Sequence, residues 1–492
     1  EAHPFHGVTL PYSRFEVDVE RLVPRKTVRL VLFDQSDDGR ARACAAHARA
    51  LGYSDVRVLE GGVDGWAAAG YTLFAGVNVP SKTFGELVHE ELHPPAITAT
   101  ELAAWQEQGR DVLVVDGRPL DEYRKMSIPR AHCCPNGELS LRIDSMAPDP
   151  RTPIVINCAG RTRSLVGVQL LRWLDLPNPV YALENGTQGW RLAGLELEHA
   201  QTRGYPDRVQ PAAARAQTVA AVAVRHGAVA LECAGVDAWL ADPERTTFVF
   251  DVRTREEYDR GHPQGVDHAP GGQLLQSTDQ WVGVRFARIV VLDDDGCRAP
   301  LVAACLSLLG FDAGYARMDD AMLASGFTGL PRAAAMPARW PAVAGLTLDA
   351  VLAASPGAVL DLRSGMQFRA GHLPAAVWIN RSQLAQRLAS LPGSELVLVA
   401  DRFEQVAPVA ADLLAAGHRI QGWWPFDSAA VAAAGAELVA TPDLPADADC
   451  IDYLFFVHDR HDGNLDSARR YLEWEIGLVP KLDAEERSLY RL

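Results

Sequence analysis

Cys158 ends an apolar run, Ile154-Val155-Ile156-Asn157, and opens the segment Ala159-Gly160-Arg161-Thr162-Arg163-Ser164. A thiol reacts as its thiolate, which neighbouring cations and the unpaired N–H groups of a helix N-terminus both favour. This segment offers both. From Ser164 to Leu174 the apolar residues Leu165, Val168 and Leu171 fall at helical spacing, so the loop is expected to empty into a helix whose first amides face Cys158. Arg161 and Arg163 add positive charge, and the same donors would hold an anion beside the sulfur. The chemistry predicted is nucleophilic, with a covalent intermediate on Cys158.

Such a site needs a strand to end and a helix to begin at one point, and the chain repeats that arrangement. A turn, Asn185-Gly186-Thr187-Gln188-Gly189-Trp190, closes the Cys158 segment, and Glu60-Gly61-Gly62-Val63-Asp64-Gly65-Trp66 repeats it after a helix expected over 41–51. Upstream of Cys158, Val112-Leu113-Val114-Val115-Asp116-Gly117-Arg118 leads to Asp121-Glu122-Tyr123. Phe248-Val249-Phe250-Asp251-Val252-Arg253 leads likewise to Glu256-Glu257-Tyr258, and Val359-Leu360-Asp361-Leu362-Arg363 forms a further copy. At the four strand-to-loop junctions stand Asp34, Cys158, Asp293 and Ala400. One copy keeps a nucleophile. A carboxylate there is expected to repel an anionic donor, so the other three copies are read as inactive. Arg298 falls where Arg163 does, which predicts a retained loop shape.

These motifs resemble the rhodanese family of sulfurtransferases: Cys158, four residues, Arg163 and a small Ser164, the Asp116-x-Arg118 and Glu122-Tyr123 signature, Ile128-Pro129, and the closing Gly186-x-x-x-Trp190 turn. Met126-Ser127 and Arg130 depart from the usual glycines and histidine of the family. The resemblance implies tandem α/β/α modules, each a mainly parallel sheet flanked by helices, in keeping with short apolar strands that alternate with helices. The expected divisions are 1–77, 95–201 with the nucleophile, 217–331, 345–440, and an extension over 441–492, with linkers at 78–95, 201–211 and from 331 onward. It further implies that thiosulfate passes its outer sulfur to Cys158 and that cyanide or a thiol removes it. Ala159, Gly160, Arg161, Thr162, Arg163 and Ser164 would bind the donor, and Asp116 and Arg118 would support the loop through an ion pair. Neither metal nor organic cofactor is implied. Thr98 and Glu101 read as a capping box that opens a helix.

A net charge of −16 argues against a nucleic-acid partner, and no apolar run approaches membrane-spanning length. Eight cysteines without metal or disulfide spacing fit a reducing, cytoplasmic setting. Cys133-Cys134 read as packing residues, with a vicinal disulfide or a sulfur relay to Cys158 as the other readings, and Cys297 reads as incidental. The chain begins at Glu1 without the strand that opens the other copies, from which residues upstream of it are expected. In the extension, a helix over 465–476 with Leu472 and Trp474 on its apolar face is expected to dock on a module or on a second copy of the chain. His458 and His461 beside aspartates read as surface groups rather than metal ligands. Two other functions fit a cysteine loop, a phosphatase or arsenate reductase and a non-catalytic persulfide carrier. The first generally sets five residues between cysteine and arginine, whereas 159–162 are four.

Overall fold

The structure is a computed structural model that describes residues 2–206, 213–330, 340–374, 376–393, 395–451, 453, 455 and 464–492. His458 and His461 and most of the linker from 331 onward lie outside the described residues. Two compact units divide the chain: Glu1–Thr9, Gly70–Ala333 and Phe456–Leu492 form one, and Leu10–Ala69 with Ala334–Phe455 form the other.

The first unit holds two five-stranded parallel sheets with one topology. In the sheet that carries Cys158 the order is Ala96–Ile97, Val180–Leu183, Ile154–Asn157, Leu113–Asp116 and His132–Cys133. In the other it is Val229–Ala230, Asp312–Arg317, Arg288–Asp293, Thr247–Asp251 and Asp267–His268. Ile154, Val155 and Ile156 sit mid-sheet and are fully buried, as near-continuous apolar runs must be when helices cover both faces. One face packs Val114, Val155 and Leu183 against Leu102, Tyr123, Ile128 and Trp190. Thr98 and Glu101 form the capping box of helix Ala99–Glu107.

Two helices outside the sheets also belong to this unit. The segment 78–95, read from sequence as a linker, is a helix over Val79–Leu92 with most of its length buried against the helix Thr162–Trp173. Lys82 and Glu86 of this helix are buried in ion pairs, while Glu90 and Glu91 near its end are exposed. The C-terminal helix runs over Leu465–Ile476. Phe5, Phe74, Val79 and Leu478 form a small core with Trp474, Leu482 and Tyr490 against it, and Trp474 donates from Nε1 to the Ala75 carbonyl at 2.9 Å. This packing fixes the C-terminal helix on the unit that holds Cys158.

The second unit contains a four-stranded parallel sheet, ordered Ala376–Trp378, Val359–Asp361, Leu396–Ala400 and Ile420–Pro425, and the parallel pair Leu30–Leu32 and Val56–Val58. Arg381 joins its two segments. The buried guanidinium contacts both oxygens of Glu16 at 2.6 and 2.9 Å and Asp412 at 2.7 Å. Removing one member of a buried pair leaves the other charge without compensation, at a cost of about 3–5 kcal/mol. Arg381→Ala is therefore expected to lower the unfolding free energy measured in urea by an amount of that order, and an unchanged value would show that the ion pair does not hold the segments together.

Candidate active site

Strand register places the site. Asp116 lies opposite Asn157 at the C-terminal edge of neighbouring strands, so Cys158 emerges where the sheet ends and helix Thr162–Trp173 begins. Cys158, Ala159, Thr162, Arg163 and Ser164 are all buried. The closing turn supports the loop from behind: Thr187 N–H donates to the Cys158 carbonyl at 2.9 Å and Gln188 N–H to the Ala159 carbonyl at 3.1 Å. Gly186 makes this fit possible. Its φ is +54°, and a Cβ there would lie 2.2 Å from the Cys158 carbonyl oxygen. The turn motif seen in the sequence is thus the floor of the cysteine loop.

The two loop arginines are not free cations. Arg163 pairs with both oxygens of Glu122 at 2.8 Å, and Arg161 pairs with both oxygens of Glu86 on helix Val79–Leu92, the shortest contact being 2.8 Å. The third glutamate is Glu475 of the C-terminal helix, fully buried. It accepts from Lys82 Nζ at 2.7 Å, Tyr471 Oη at 3.0 Å, the Arg161 N–H at 3.2 Å and Thr162 Oγ1 at 3.3 Å. Three cations therefore face three carboxylates around the loop, and the expected basic patch is neutralised. The donors left for a substrate are the first-turn amides of helix Thr162–Trp173, which lack intrahelical acceptors, and Ser164 Oγ, a buried hydroxyl with no partner among the described residues.

Asp116 and Arg118 form a buried bidentate pair at 2.8 and 2.7 Å, which Asn157 Nδ2 joins at 2.9 Å. Arg118 also donates to the Met126 carbonyl at 2.6 Å, tying the strand edge to the segment before Ile128. Glu122, Lys82, Glu86, Tyr471 and Glu475 are the site residues that sequence reading missed. A signal existed for Glu122. Glu257 contacts Arg298 at 2.5 Å, and both glutamates precede their arginine by 41 residues.

In the sister copies the residue at the junction binds its own loop. Asp293, at the position of Cys158, turns its carboxylate into its own loop: Oδ1 accepts from Gly296 N–H at 2.9 Å and Oδ2 from Arg298 and Ala299 N–H at 2.9 and 2.8 Å. Asp34 does the same with Asp37 N–H at 2.7 Å and Ala41 N–H at 2.9 Å. The sequence read these carboxylates as charges that repel a donor; each is also the acceptor for the amides of its own loop. Arg298, which aligns with Arg163, keeps the equivalent pair with Glu257 and also reaches Glu138 at 2.9 Å and Asp295 at 2.7 Å. Ala400 brings neither thiol nor carboxylate to its junction.

All eight cysteines are free thiols. Burial pushes Cys133 and Cys297 up to about 12 and Cys134 well above the ordinary thiol range, which suits packing rather than a sulfur relay. Among the described residues no cluster of histidine, cysteine and carboxylate side chains could hold a metal, and no helix is long and apolar enough to cross a membrane.

Glu122 gives the site an acid dependence. Burial acts to raise its carboxyl, but the charge and hydrogen bonds of Arg163 outweigh this and hold it at about 2, below the ordinary 4.5. A carboxylate depressed in the folded state contributes stability above about pH 4.5 that is lost as the pH falls toward 2. The side chain is still 34% exposed, so solvent screening keeps the effect modest. Urea midpoints at pH 6, 4 and 2.5 should fall less steeply in Glu122→Gln than in the parent. Parallel curves would show that the pair does not contribute.

With this geometry in place, comparison with known proteins adds three findings. The Rhodanese-like domain family matches residues 6–69, 98–193 and 234–324. A solved thiosulfate sulfurtransferase from Pseudomonas aeruginosa is 38% identical with a TM-score of 0.90, covering 100% of this chain and 93% of that one. An HTH-type transcriptional regulator of Mycobacterium tuberculosis is 35% identical over 114 residues, 23% of this chain, so the chain spans about half the length of this curated relative.

Proposed function

Because the chain belongs to the family of rhodanese-like domain proteins, we propose that it is a sulfurtransferase that carries a sulfane sulfur from thiosulfate to a thiophilic acceptor as a Cys158 persulfide. The observation that carries this reading is the loop comparison. The equivalent strand-to-helix junction, where the Asp293 carboxylate sits on three amides, has a thiol at its base in the Cys158 copy, and the loop between differs, with Gly296 at φ +71° where Arg161 is at φ −116°. A sulfur anion in that place would be held by the first-turn amides of helix Thr162–Trp173, the Arg161 N–H being taken by Glu475. The Cys158 thiolate attacks the outer sulfur of thiosulfate, forming a new S–S bond. The old S–S bond breaks, and sulfite leaves with its electron pair. The terminal sulfur of the persulfide then rests among the first-turn amides and Ser164 Oγ, which stabilise its charge. Cyanide, or the thiolate of a cellular thiol, attacks that sulfur, leaves as thiocyanate or a persulfide, and restores the Cys158 thiolate.

Four modules are part of the same proposal: 1–77, 95–201, 217–331 and 345–440, the last supported by a sheet with the strand order of the two five-stranded sheets but one strand fewer. The test is intact mass after incubation with thiosulfate, followed by peptide mapping. A gain of one sulfur atom on the peptide containing Cys158 is expected. No gain, with release of phosphate from an aryl phosphate, would replace this reading with that of a phosphatase.

A further inference from the structure

A donor of the Cys158 loop turns to a distant helix, whereas those of its sister turn to carboxylates of their own loop. In the Asp293 loop, the amides three, five and six residues after the junction turn to Asp293, and Asp295 takes Cys297 N–H at 2.7 Å and shares Arg298 N–H at 3.2 Å. The corresponding residues after Cys158 are Arg161, Arg163 and Ser164. Here the Arg161 N–H points instead to Glu475 Oε2 at 3.2 Å, a residue 314 positions away on a helix outside all three matched segments. The approach is close. A Cβ on Gly160 would lie 2.5 Å from the same oxygen. Glu475 is in turn held by Lys82 at 2.7 Å and Tyr471 at 3.0 Å, and Lys82 also contacts Tyr471 Oη at 2.7 Å. Lys82, too, lies outside the matched segments.

We infer that Glu475 and Lys82 form a positioning pair for Cys158: Glu475 withdraws one amide from the ring of donors, leaving those of Arg163 and Ser164 for the sulfur, and the pair sets the charge that the thiolate meets. The inference rests on Cys158 being the nucleophile. The other charged or titratable groups packed around the loop are Arg161 and Arg163 on the loop itself, Glu86 on helix Val79–Leu92, Tyr471 on the C-terminal helix, Glu122 on helix Leu120–Lys125, and Asp116 and Arg118 at the strand edge. Each arginine among them already has a carboxylate partner. Changing one member of the Lys82–Glu475 pair therefore changes by one unit the charge beside Gly160 and Arg161, two and three residues beyond Cys158. Burial opposes the Lys82 charge, but Glu475 more than offsets this and holds the ammonium protonated.

The consequence is a pair of opposite shifts. Glu475→Gln keeps a side-chain oxygen for Arg161 N–H but leaves Lys82 uncompensated, which favours the thiolate; Lys82→Met leaves Glu475 uncompensated, which disfavours it. The rate of Cys158 alkylation by iodoacetamide, followed by mass on the Cys158 peptide at pH 6 and low salt, should rise about tenfold in the first variant and fall about tenfold in the second. A unit charge within a protein at this range is worth on the order of one tenfold step. The double variant should return close to the parent rate. A merely structural role would move both single variants the same way, through loosening of the loop, and that result, or no change in either, overturns the inference. If Glu475→Gln does not fold, Lys82→Met alone decides, since an unchanged or raised rate there is equally fatal. Alkylation needs no sulfur donor. Opposite shifts in a protein that takes no sulfur from thiosulfate would therefore support the pair while refuting the proposed donor.

Discussion

Cys158→Ser will take up no sulfur from thiosulfate, and its turnover to thiocyanate will fall by roughly 10⁴-fold or more, the scale on which losing a covalent nucleophile acts. The physical reason is in the atom replaced. A serine hydroxyl holds its proton far above neutral pH and cannot carry a transferable sulfane sulfur, whereas the loop amides and Ser164 Oγ, with no partner among the described residues, remain in place to bind the donor. Binding should accordingly survive. Thiosulfate protection of the folded variant against thermal unfolding, measured beside the turnover assay, should persist within a few-fold of the parent. Turnover above about one percent of the parent would mean that Cys158 does not carry the sulfur, and attention would move to chemistry outside this loop.

Gly186→Ala should be nearly as damaging although it leaves every reactive group in place. Gly186 has φ +54°, and the added methyl would sit 2.2 Å from the Cys158 carbonyl oxygen, with the Gly160 carbonyl oxygen at 2.8 Å. Both obstacles are backbone. Neither can swing aside as a side chain would, so the loop must move by the better part of an ångström, and the bond from Thr187 N–H to the Cys158 carbonyl must stretch. Displacements of that size at a reacting centre cost about 10²-fold in rate. Gly194→Ala is the matched control. That residue also has positive φ, at +77°, but nothing lies within 4 Å of its added Cβ, so it should cost about 1 kcal/mol of stability through backbone strain alone and leave turnover near the parent value. Equal turnover in both variants would show that the close approach at Gly186 does not set the loop.

These two expectations divide along a line that runs through the whole protein. Cys158, its four-residue spacing to Arg163 and the following helix were readable in the sequence because strand, loop and helix are covalent neighbours, and local backbone preferences fix their order. The repeats were readable for the same reason, as was the helix Leu465–Ile476 from its apolar spacing. The resemblance carried by Asp116, Arg118 and Glu122 extended this to the parallel sheets, since those residues mark where a strand stops at the sheet edge.

The electrostatics were not readable. Arg161 and Arg163 looked like free cations because sequence shows a charge but not its partner. Glu86 lies 75 residues from Arg161, and Glu475 lies 314 from the same residue. Coulomb pairing acts through space and is indifferent to chain separation. For the same reason a charged stretch such as 78–95 read as a linker when it is a buried helix, and Asp293 read as a repelling charge when its carboxylate is the ligand of its own loop. The sequence by itself determined which thiol stands at the strand-to-helix junction, the atom proposed as nucleophile, and which local shape presents it. Tertiary structure alone decided which charges that atom meets, because the neutralising carboxylates arrive from helices that only packing brings to the loop.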